Sequence, residues 1–384
     1  MSKINKVCIL SLSNISWDSR VLREIDMARQ HYQVDVIGYG NWQPPEGVRF
    51  FSLARKIVFP PLKYFLLVAG KLNNRCFDRY FWLKPQHKQA LEIIMEGEYD
   101  LVHANDWDAL PVAATAGQKS GCRVLFDAHE YFLADRVDGI IFDNLIIPYR
   151  NFLLKKYQNH VSKMITVSEG IEQVYFSKYN WKMGIILNAP VFQEITHHKT
   201  EPRNIKLVHH GGAKPGRYLE KILMVLPYLR NEYELHFYLT PSNPKYLKKL
   251  KDLANNTVPG RVFFHNPVPP KEIIREISKY DIGIHNLDTK NVNHLNALPN
   301  KFFDFMMAGL AVAINPLPVM KKILDEYQLG IILDGNNPQE WANKINSLSV
   351  EQIDQFKINS LKAAKILNAD VEMNKLHKIY ASLL

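Results

Sequence analysis

Short, wholly apolar segments alternate with helical patterns along most of this 384-residue chain. Strands that are apolar on both faces, with helices between them, are typical of parallel sheets covered by helices on both sides. The pattern therefore predicts an α/β protein built from doubly wound parallel sheets. The strand-like segments are KVCILSL, QVDVIGYG, DLVHAN, RVLFDA, KMITVS and GIILN, followed after residue 204 by IKLVHHG, ELHFYLT, RVFFH, DIGIH, LAVAI and LGIIL.

The alternation stops in a stretch over residues 188–204 that contains Pro and His, and then begins again. The length of the chain also favours two domains, because single hydrophobic cores stop growing beyond about 250–300 residues. We therefore predict two Rossmann-like domains, residues 1–195 and residues 196–366. A last helix, residues 367–384, comes after the final strand, and we expect it to cross back to the first domain.

The formal net charge of +10 indicates an anionic partner. Such an excess is typical of proteins that bind nucleic acid, an anionic membrane surface or phosphorylated ligands. The chain shows no zinc-finger spacing, RNA-recognition signature or basic-region helix, so we predict no nucleic-acid partner. Basic and aromatic residues interleave over residues 55–84, which suits a bilayer interface. An aromatic-rich helix packed on its own domain explains that stretch equally well, and both interpretations stay open.

The sequence start, MSKINKVCILSLSN, has no apolar core of signal-peptide length. The apolar run at residues 64–70 is far shorter than a bilayer span. We therefore expect a cytoplasmic protein, peripheral at the inner face of the cell membrane if residues 55–84 bind lipid. No His, Cys and Asp cluster has metal-ligand spacing, so we predict neither a metal nor a cofactor.

Polar residues and glycines cluster where the predicted strands end, which is where open parallel sheets bind ligands. In the second domain GGAKPGRYLEKI places glycines directly after a strand and leads into a helix. Glycines let a backbone approach a diphosphate closely, and a helix start offers unpaired N–H groups and a positive dipole end. Arg217 follows these glycines, where its guanidinium could bind two phosphate oxygens.

Several blocks, in order along nearly the whole chain, resemble the family 4 retaining glycosyltransferases of the GT-B fold, many of which build bacterial polysaccharides. The resemblance implies two Rossmann-like domains facing across a cleft, the first binding an acceptor and the second a nucleotide-sugar donor. It also implies transfer of the sugar, hexosyltransferase-like, to a glycan or lipid-linked acceptor. The blocks are YDLVHANDWDALPVAA, RVLFDAHEYF, MITVSEGIEQVY, VHHGGAKPGRYLEKIL and LPNKFFDFMMAGLAVAI.

The resemblance assigns a donor site to the second domain. The family places an Arg and a Lys beside the leaving diphosphate, and Arg217 and Lys214 match them. The family also has two glutamates, one on the donor sugar and one on the ribose, where this chain has Asn296 and Asp304. The first position has therefore lost its negative charge. The predicted donor-binding residues are Gly211, Gly212, Lys214, Arg217, Leu298, Asn300, Lys301 and Asp304, with backbone amides of residues 298–301 contributing.

His129 in DAHEYF matches a histidine that the family places beside the acceptor and the donor's anomeric carbon. We predict catalytic roles for His129, Arg217 and Asn296. Asp106-Trp107-Asp108 matches the DxD motif that binds a metal in another glycosyltransferase fold. The family that this chain resembles has the same motif but binds no metal there. Acceptor binding is a first interpretation of these two aspartates, and capping of the next helix is a second. The predicted acceptor-binding residues are Asn14, Asp18, Asp106, Asp108 and Glu130.

Two other functions are consistent with much of this sequence pattern. A nucleotide-sugar 2-epimerase of the same fold would need more acid and base groups near the sugar than the chain shows. A non-catalytic nucleotide-sugar-binding protein is suggested by the replacement of the two glutamates by Asn296 and Asp304. The retained Arg217, Asp304 and His129 argue for an enzyme.

Overall fold

The computed structural model describes residues 4–134, 139–335 and 337–384. It divides into two compact units, of which the first comprises Met1–Leu187 together with Glu372–Leu384 and the second comprises Asn188–Val371. The division falls a few residues before the boundary expected at residue 195. Over the described ranges, no helix is long and apolar enough to cross a membrane.

The described part of the first unit contains one sheet of seven parallel strands in the order β3-β2-β1-β4-β5-β6-β7. The strands are β1 (Lys6–Asn14), β2 (Gln33–Tyr39), β3 (Val48–Ser52), β4 (Leu101–Asn105), β5 (Arg123–Ala128), β6 (Lys163–Thr166) and β7 (Gly184–Ile185). The helices are α1 (Ser19–Ala28), α2 (Pro60–Gly70), α3 (Arg75–Trp82), α4 (Pro85–Gly97), α5 (Leu110–Ser120), α6 (Ile147–Tyr157) and α7 (Glu169–Tyr179), and a π-helical turn, Phe142–Ile146, leads into α6.

The second unit repeats this plan with six parallel strands, counted over its described residues, in the order β10-β9-β8-β11-β12-β13. The strands are β8 (Ile205–Gly212), β9 (Tyr233–Thr240), β10 (Val262–His265), β11 (Ile282–His285), β12 (Ala311–Ile314) and β13 (Gly330–Ile332). The helices are α8 (Leu219–Leu223), α9 (Pro244–Thr257), α10 (Ile273–Ile277), α11 (Val292–Leu295), α12 (Asn300–Met307), α13 (Pro318–Tyr327), α14 (Pro338–Asn346) and α15 (Val350–Ala364). A last helix, α16 (Ala369–Ala381), begins at the end of this unit and belongs mostly to the first. Both orders are the doubly wound Rossmann order, and the predicted fold class is confirmed.

Burial explains why these segments form strands and helices. The central residues of β1 and β2 are buried on both faces of the sheet, as their continuous apolar runs predict. Helix α1 buries Val21, Ile25 and Ala28, which recur at helical spacing, against the same core. Asp18 caps this helix by accepting a hydrogen bond from the Val21 N–H at 3.2 Å.

The last helix, α16, packs against the first unit. Met373, Leu376 and Tyr380 lie in the core that the strands of the first sheet form. The Leu187 N–H donates to the buried Glu372 carboxylate at 2.8 Å. The chain therefore returns to the first unit after completing the second.

Both sheets reverse their strand order at one place, between β1 and β4 in the first unit and between β8 and β11 in the second. Ligands of doubly wound sheets bind at this reversal, outside the carboxyl ends of the strands. The expected ligand positions are therefore beyond Asn14 and Asn105 in the first unit, and beyond Gly212 and His285 in the second.

Candidate functional site

Gly211 brings two cations together at the carboxyl edge of the second sheet. Its backbone has φ +117°, a conformation that favours glycine. A Cβ added there would lie 2.6 Å from Cε and 2.8 Å from Nζ of Lys301, and 3.7 Å from Nη1 of Arg217. The absent side chain is therefore what lets the lysine and the arginine approach the strand end.

Lys301 is nearly buried, with 8% of its surface exposed. Burial and the nearby Arg217 lower its pKa to about 7; Asp304 acts in the opposite direction and Lys214 lowers it further. Among the described residues, no carboxylate comes within ion-pair distance of Lys301 or Arg217. Two crowded cations without a paired anion form a site that favours a ligand with negative charge.

Asp304 and several histidines surround these cations. Asp304 is buried on α12, and its Oδ2 lies 3.4 Å from Nε2 of His210, without the alignment of a hydrogen bond. Burial lowers the pKa of His210 and His285 well below the ordinary value, so both imidazoles are neutral near pH 7. Neither ring nitrogen of the fully buried His285 has a hydrogen-bond partner in the structure.

The segment around the start of α12 contains the residues 298–301 whose backbone amides were expected at the donor. Helix α12 begins at Asn300, and Pro299 is its N-cap. No side chain caps this helix, while Asn300 accepts a hydrogen bond from the Asn188 side chain at 3.0 Å. Leu298 is buried, and Asn296 ends α11 with its amide donating to the Val292 carbonyl at 2.9 Å.

The glycine segment also departs from the expected strand–loop–helix arrangement. Gly211 and Gly212 are the last residues of β8 itself, and α8 begins only at Leu219 and is a single short turn. Tyr218 precedes it with φ +50°, which is unusual for a bulky residue. The positive charge here therefore comes from Arg217 and Lys301 rather than from a long helix that follows the glycines; Lys214 is exposed nearby.

In the first unit, His129 follows β5 and contacts residues from two strands. Its Nε2 lies 3.0 Å from Oδ1 of Asn105, and its Nδ1 lies 3.5 Å from Oδ1 of Asp106. Burial opposes its protonation, but the carboxylates of Asp106 and Asp127 raise the pKa of His129 to about 10. At neutral pH His129 is therefore an imidazolium, which donates hydrogen bonds and cannot act as a general base.

A buried charged network lies beneath His129. The Arg20 guanidinium lies 2.7 Å from Oδ2 of Asp127 and 3.3 Å from Oε1 of Glu24. Burial opposes ionisation of Asp127, but Arg20 and His129 hold its pKa well below the ordinary value. Burial and the Asp127 charge raise the pKa of Glu24 instead. The pair therefore carries one negative charge at neutral pH, which Arg20 balances.

The same network bears on metal binding. In the part of the chain that the structure describes, Glu24, His103 and Asp127 are the residues whose ligand atoms converge closely enough to hold an ion. Arg20 already occupies the space beside both carboxylates, and the Tyr380 hydroxyl lies 2.8 Å from Nδ1 of His103. The positive charge of Arg20 beside both carboxylates therefore opposes binding of a dication, while both Glu24 oxygens and Nε2 of His103 are buried without a hydrogen-bond partner among the described residues.

Other predicted acceptor residues have local partners. Asn14 accepts a hydrogen bond from the Ser16 N–H at 3.2 Å, and Asp18 caps α1. Asp106 lies in the left-handed region with φ +71°, close to His129, and Glu130 is exposed. The capping interpretation of Asp106 and Asp108 is wrong, because Ala109 is the N-cap of α5 and no side chain caps that helix.

The sequence interpretation missed the residues that set these charges. Arg20 and Glu24 lie on a helix whose pattern looks ordinary, although both are buried. His103, Asp127, His210 and His285 stand inside or at the end of otherwise apolar strands. A polar residue at a fully buried strand position was the signal that could have identified them.

Two family profiles match the chain in order. A glycosyltransferase family 4 profile matches residues 25–189, and a profile of glycosyl transferases group 1 matches residues 201–350. No curated protein sequence matches the chain significantly.

Similar solved structures cover nearly the whole chain. Anabaena HepE, in complex with UDP and glucose, is 15% identical over 98% of this chain and 100% of its own, with a TM-score of 0.68. Sucrose-phosphate synthase from Thermosynechococcus elongatus and a glycosyltransferase from Rickettsia africae are each 13% identical over 99% of both chains, with a TM-score of 0.69. The chain thus has the GT-B fold and carries a glycosyltransferase family 4 domain followed by a domain of the glycosyl transferases group 1 family.

Proposed function

We propose that this protein transfers a sugar from a nucleotide-sugar donor to a glycan or lipid-linked acceptor. The observation that carries the proposal is the pair of crowded cations, Lys301 and Arg217, beside Gly211 at the strand-order reversal of the second unit. A diphosphate supplies the negative charge that this site lacks. HepE was solved with UDP-glucose, which supports a UDP-sugar as the first donor to test.

Each residue then has a chemical task in the transfer. Arg217 and Lys301 stabilise the leaving diphosphate as its bond to the anomeric carbon breaks. Asp304 accepts hydrogen bonds from the ribose, and Asn296 binds a hydroxyl of the donor sugar. The His129 imidazolium orients the acceptor hydroxyl, whose oxygen forms the new bond and whose proton passes to the leaving phosphate. We propose that the anomeric configuration is retained and that no metal takes part.

We further propose that the protein builds bacterial polysaccharide at the inner face of the cell membrane. The support is the net charge of +10 together with the basic and aromatic residues of 55–84.

Titration calorimetry with UDP tests the donor site directly. The wild-type protein is expected to bind UDP, Lys301→Met to bind it weakly, and Lys248→Met, an exposed lysine of α9, to bind it normally. Equal affinities of all three proteins would place the diphosphate elsewhere.

A mass-spectrometric screen of nucleotide sugars, with and without lipid-linked acceptors, separates the candidate functions. Sugar transfer that depends on an added acceptor supports the proposal. Isomerised donor without an acceptor would identify an epimerase, and UDP binding without any turnover would identify a non-catalytic binding protein.

A further inference from the structure

The His129 ring lies between oxygen atoms that cannot donate hydrogen bonds. Its Nε2 is 3.0 Å from Oδ1 of Asn105 and 3.5 Å from Oδ2 of Asp127. Its Nδ1 is 3.5 Å from Oδ1 of Asp106. Amide oxygens and ionised carboxylates only accept hydrogen bonds, so each ring nitrogen has to carry the proton that it shares with them. The contacts on both sides of the ring therefore favour the imidazolium.

The two sides of the ring differ in their access to a ligand. On the Nε2 side, Asn105 and Asp127 are fully buried and lie opposite each other on the neighbouring strands β4 and β5. On the Nδ1 side, Asp106 exposes 33% of its side chain, and the His129 side chain itself exposes 17%. Nδ1 is therefore the ring nitrogen on the side that an acceptor can reach, whereas Nε2 faces the interior.

Arg20 fixes the carboxylate oxygen that faces Nε2. Its Nε donates a hydrogen bond to Oδ2 of Asp127 at 2.7 Å, and its Nη2 lies 2.7 Å from the same oxygen. Its Nη1 donates to the Ile186 carbonyl at 2.9 Å. A guanidinium is planar and its donors have fixed directions, so these contacts hold it in one orientation. Oδ2 of Asp127 is therefore held in place beside the ring of His129.

The other buried ionisable groups of this network lie behind Asp127 and Arg20. Glu24 is 3.3 Å from Arg20, and Nε2 of His103 is 3.9 Å from Oδ2 of Asp127. Among the described residues, neither Glu24 nor His103 forms a hydrogen bond or an ion pair with His129. Burial and the Asp127 charge raise the pKa of Glu24, and burial lowers the pKa of His103, so both groups are mostly uncharged at pH 7. The charge that acts on Nε2 is therefore that of Asp127.

We propose that Asp127 is a positioning residue that holds Nε2 of His129, so that the Nδ1–H beside Asp106 meets the acceptor hydroxyl. Asn105 shares the contact with Nε2, and Arg20 keeps Asp127 in place. This inference rests on the proposed glycosyl transfer and names the ring nitrogen that His129 uses in it. Without Asp127 the ring would lose its fixed orientation and one of the two carboxylates that keep it protonated.

NMR of the ring nitrogens tests the proposal without any substrate. In protein labelled with nitrogen-15 at histidine, the spectrum shows which ring nitrogen carries a proton, and a His129→Gln protein identifies the His129 signals. Burial lowers the pKa of His129, but Asp106 and Asp127 raise it to about 10. Both nitrogens of the wild-type ring are therefore expected to stay protonated from about pH 6 to about pH 9. The Nε2 proton should exchange slowly with water, because its partners are buried.

Asp127→Asn keeps the shape of the side chain and removes its charge. The pKa of His129 should fall by about one to three pH units, which is the effect of a nearby opposite charge, and the Nε2 proton should exchange faster. Asp106→Asn should also lower the pKa of His129 but leave the Nε2 proton in slow exchange, since Asp127 still holds that side. Asp26→Asn, a change of an exposed aspartate on α1, should alter neither property.

Kinetics give a second readout once a donor and an acceptor are known. Asp127→Asn should lower kcat and leave the KM for the donor unchanged, because His129 acts on the acceptor. Its kcat should also fall as pH rises through the lowered pKa of His129, where the ring loses its proton. The wild-type kcat should not fall over the same range. A purely structural role of Asp127 would reduce the amount of folded protein without this pH dependence.

Two results would contradict the proposal. One is a wild-type ring that is neutral at pH 7, with Nε2 accepting a hydrogen bond from the Asn105 amide. The other is a folded Asp127→Asn protein, checked by circular dichroism, whose His129 titration and Nε2 exchange match the wild type. If Asp127→Asn does not fold, fast exchange of the Nε2 proton in the wild type or in Asp106→Asn would still refute it. The expected spectra without turnover of any donor would support the held ring and contradict only the glycosyl transfer, so the two failures are distinguishable.

Discussion

Donor binding is expected to depend on pH through Lys301. In the ligand-free protein burial, Arg217 and Lys214 lower the pKa of this lysine to about 7, against the effect of Asp304. A bound diphosphate favours the ammonium form, so the complex holds a proton that the ligand-free protein has partly lost. The affinity for the donor should therefore rise as pH falls through the pKa of Lys301.

The size of the effect follows from the pKa. If the donor binds the protonated lysine alone, roughly ten in eleven molecules are competent at one pH unit below the pKa and about one in eleven at one unit above. The affinity should then be about tenfold weaker near pH 8 than near pH 6, which is ~1.4 kcal/mol. Near pH 8, binding should take up about 0.9 proton for each donor bound.

Calorimetry in two buffers of different ionisation enthalpy measures both quantities. A nucleotide sugar is the ligand of choice, because its diphosphate carries no proton that titrates in this range. Lys301→Met should bind weakly and without the pH dependence, whereas Lys214→Met should keep it. A flat affinity in the wild-type protein, or the same pH dependence in Lys301→Met, would refute the assignment of Lys301 to the diphosphate.

The remaining predictions concern the same site and the role of metal. Arg217→Ala should weaken UDP binding by about 2 to 5 kcal/mol in calorimetry, and an unchanged affinity would contradict the contact between Arg217 and the phosphates. Asp304→Asn should weaken UDP binding by about 1.5 to 3 kcal/mol, whereas Asn296→Ala should spare UDP and slow turnover; intact binding and turnover in both would place the donor elsewhere. Gly211→Ala should displace Lys301 and weaken UDP binding, because its Cβ would lie 2.6 Å from Cε of the lysine. Turnover should survive EDTA, and a loss that manganese or magnesium restores would contradict the metal-free mechanism.

The strands buried on both faces were predictable from sequence, as were the edge strands β7, β10 and β13, whereas the edge strand β3 was not. β1, β8 and β11 are mostly apolar and buried along most of their length, because helices cover both faces of a parallel sheet. The edge strand β3 has the sequence VRFFS and keeps several residues partly exposed, so its pattern is not that of a buried run. The return of α16 to the first unit was expected from sequence, but the core residues that it contacts needed the structure, because a helical period shows an apolar face and not what packs against it.

The sequence predicts candidate site residues one by one but does not show how their charges combine. Arg217 and Lys301 were both expected near the donor, yet only the structure shows that Gly211 brings their side chains together. His129 was expected at a strand end, but its protonation depends on Asp127, a polar residue within an apolar strand. Such pairings depend on which strands are neighbours in the sheet, and spacing along the chain does not reveal that.

The buried charges of the first unit are paired with opposite charges, whereas the two cations of the second unit are not, and this difference bears on what each unit can bind. In the first unit Arg20 and His129 are matched by Asp127 and Asp106, so these groups keep their charges near pH 7 without a ligand. In the second unit the crowded cations have no ion-paired carboxylate among the described residues. The pKa of Lys301 is lowered to about 7, so only part of the protein carries a protonated Lys301 at neutral pH. A ligand with two negative charges restores that balance, whereas a neutral sugar does not. In the proposed reaction the second unit therefore holds the donor by its diphosphate, and the imidazolium of His129 orients an acceptor hydroxyl.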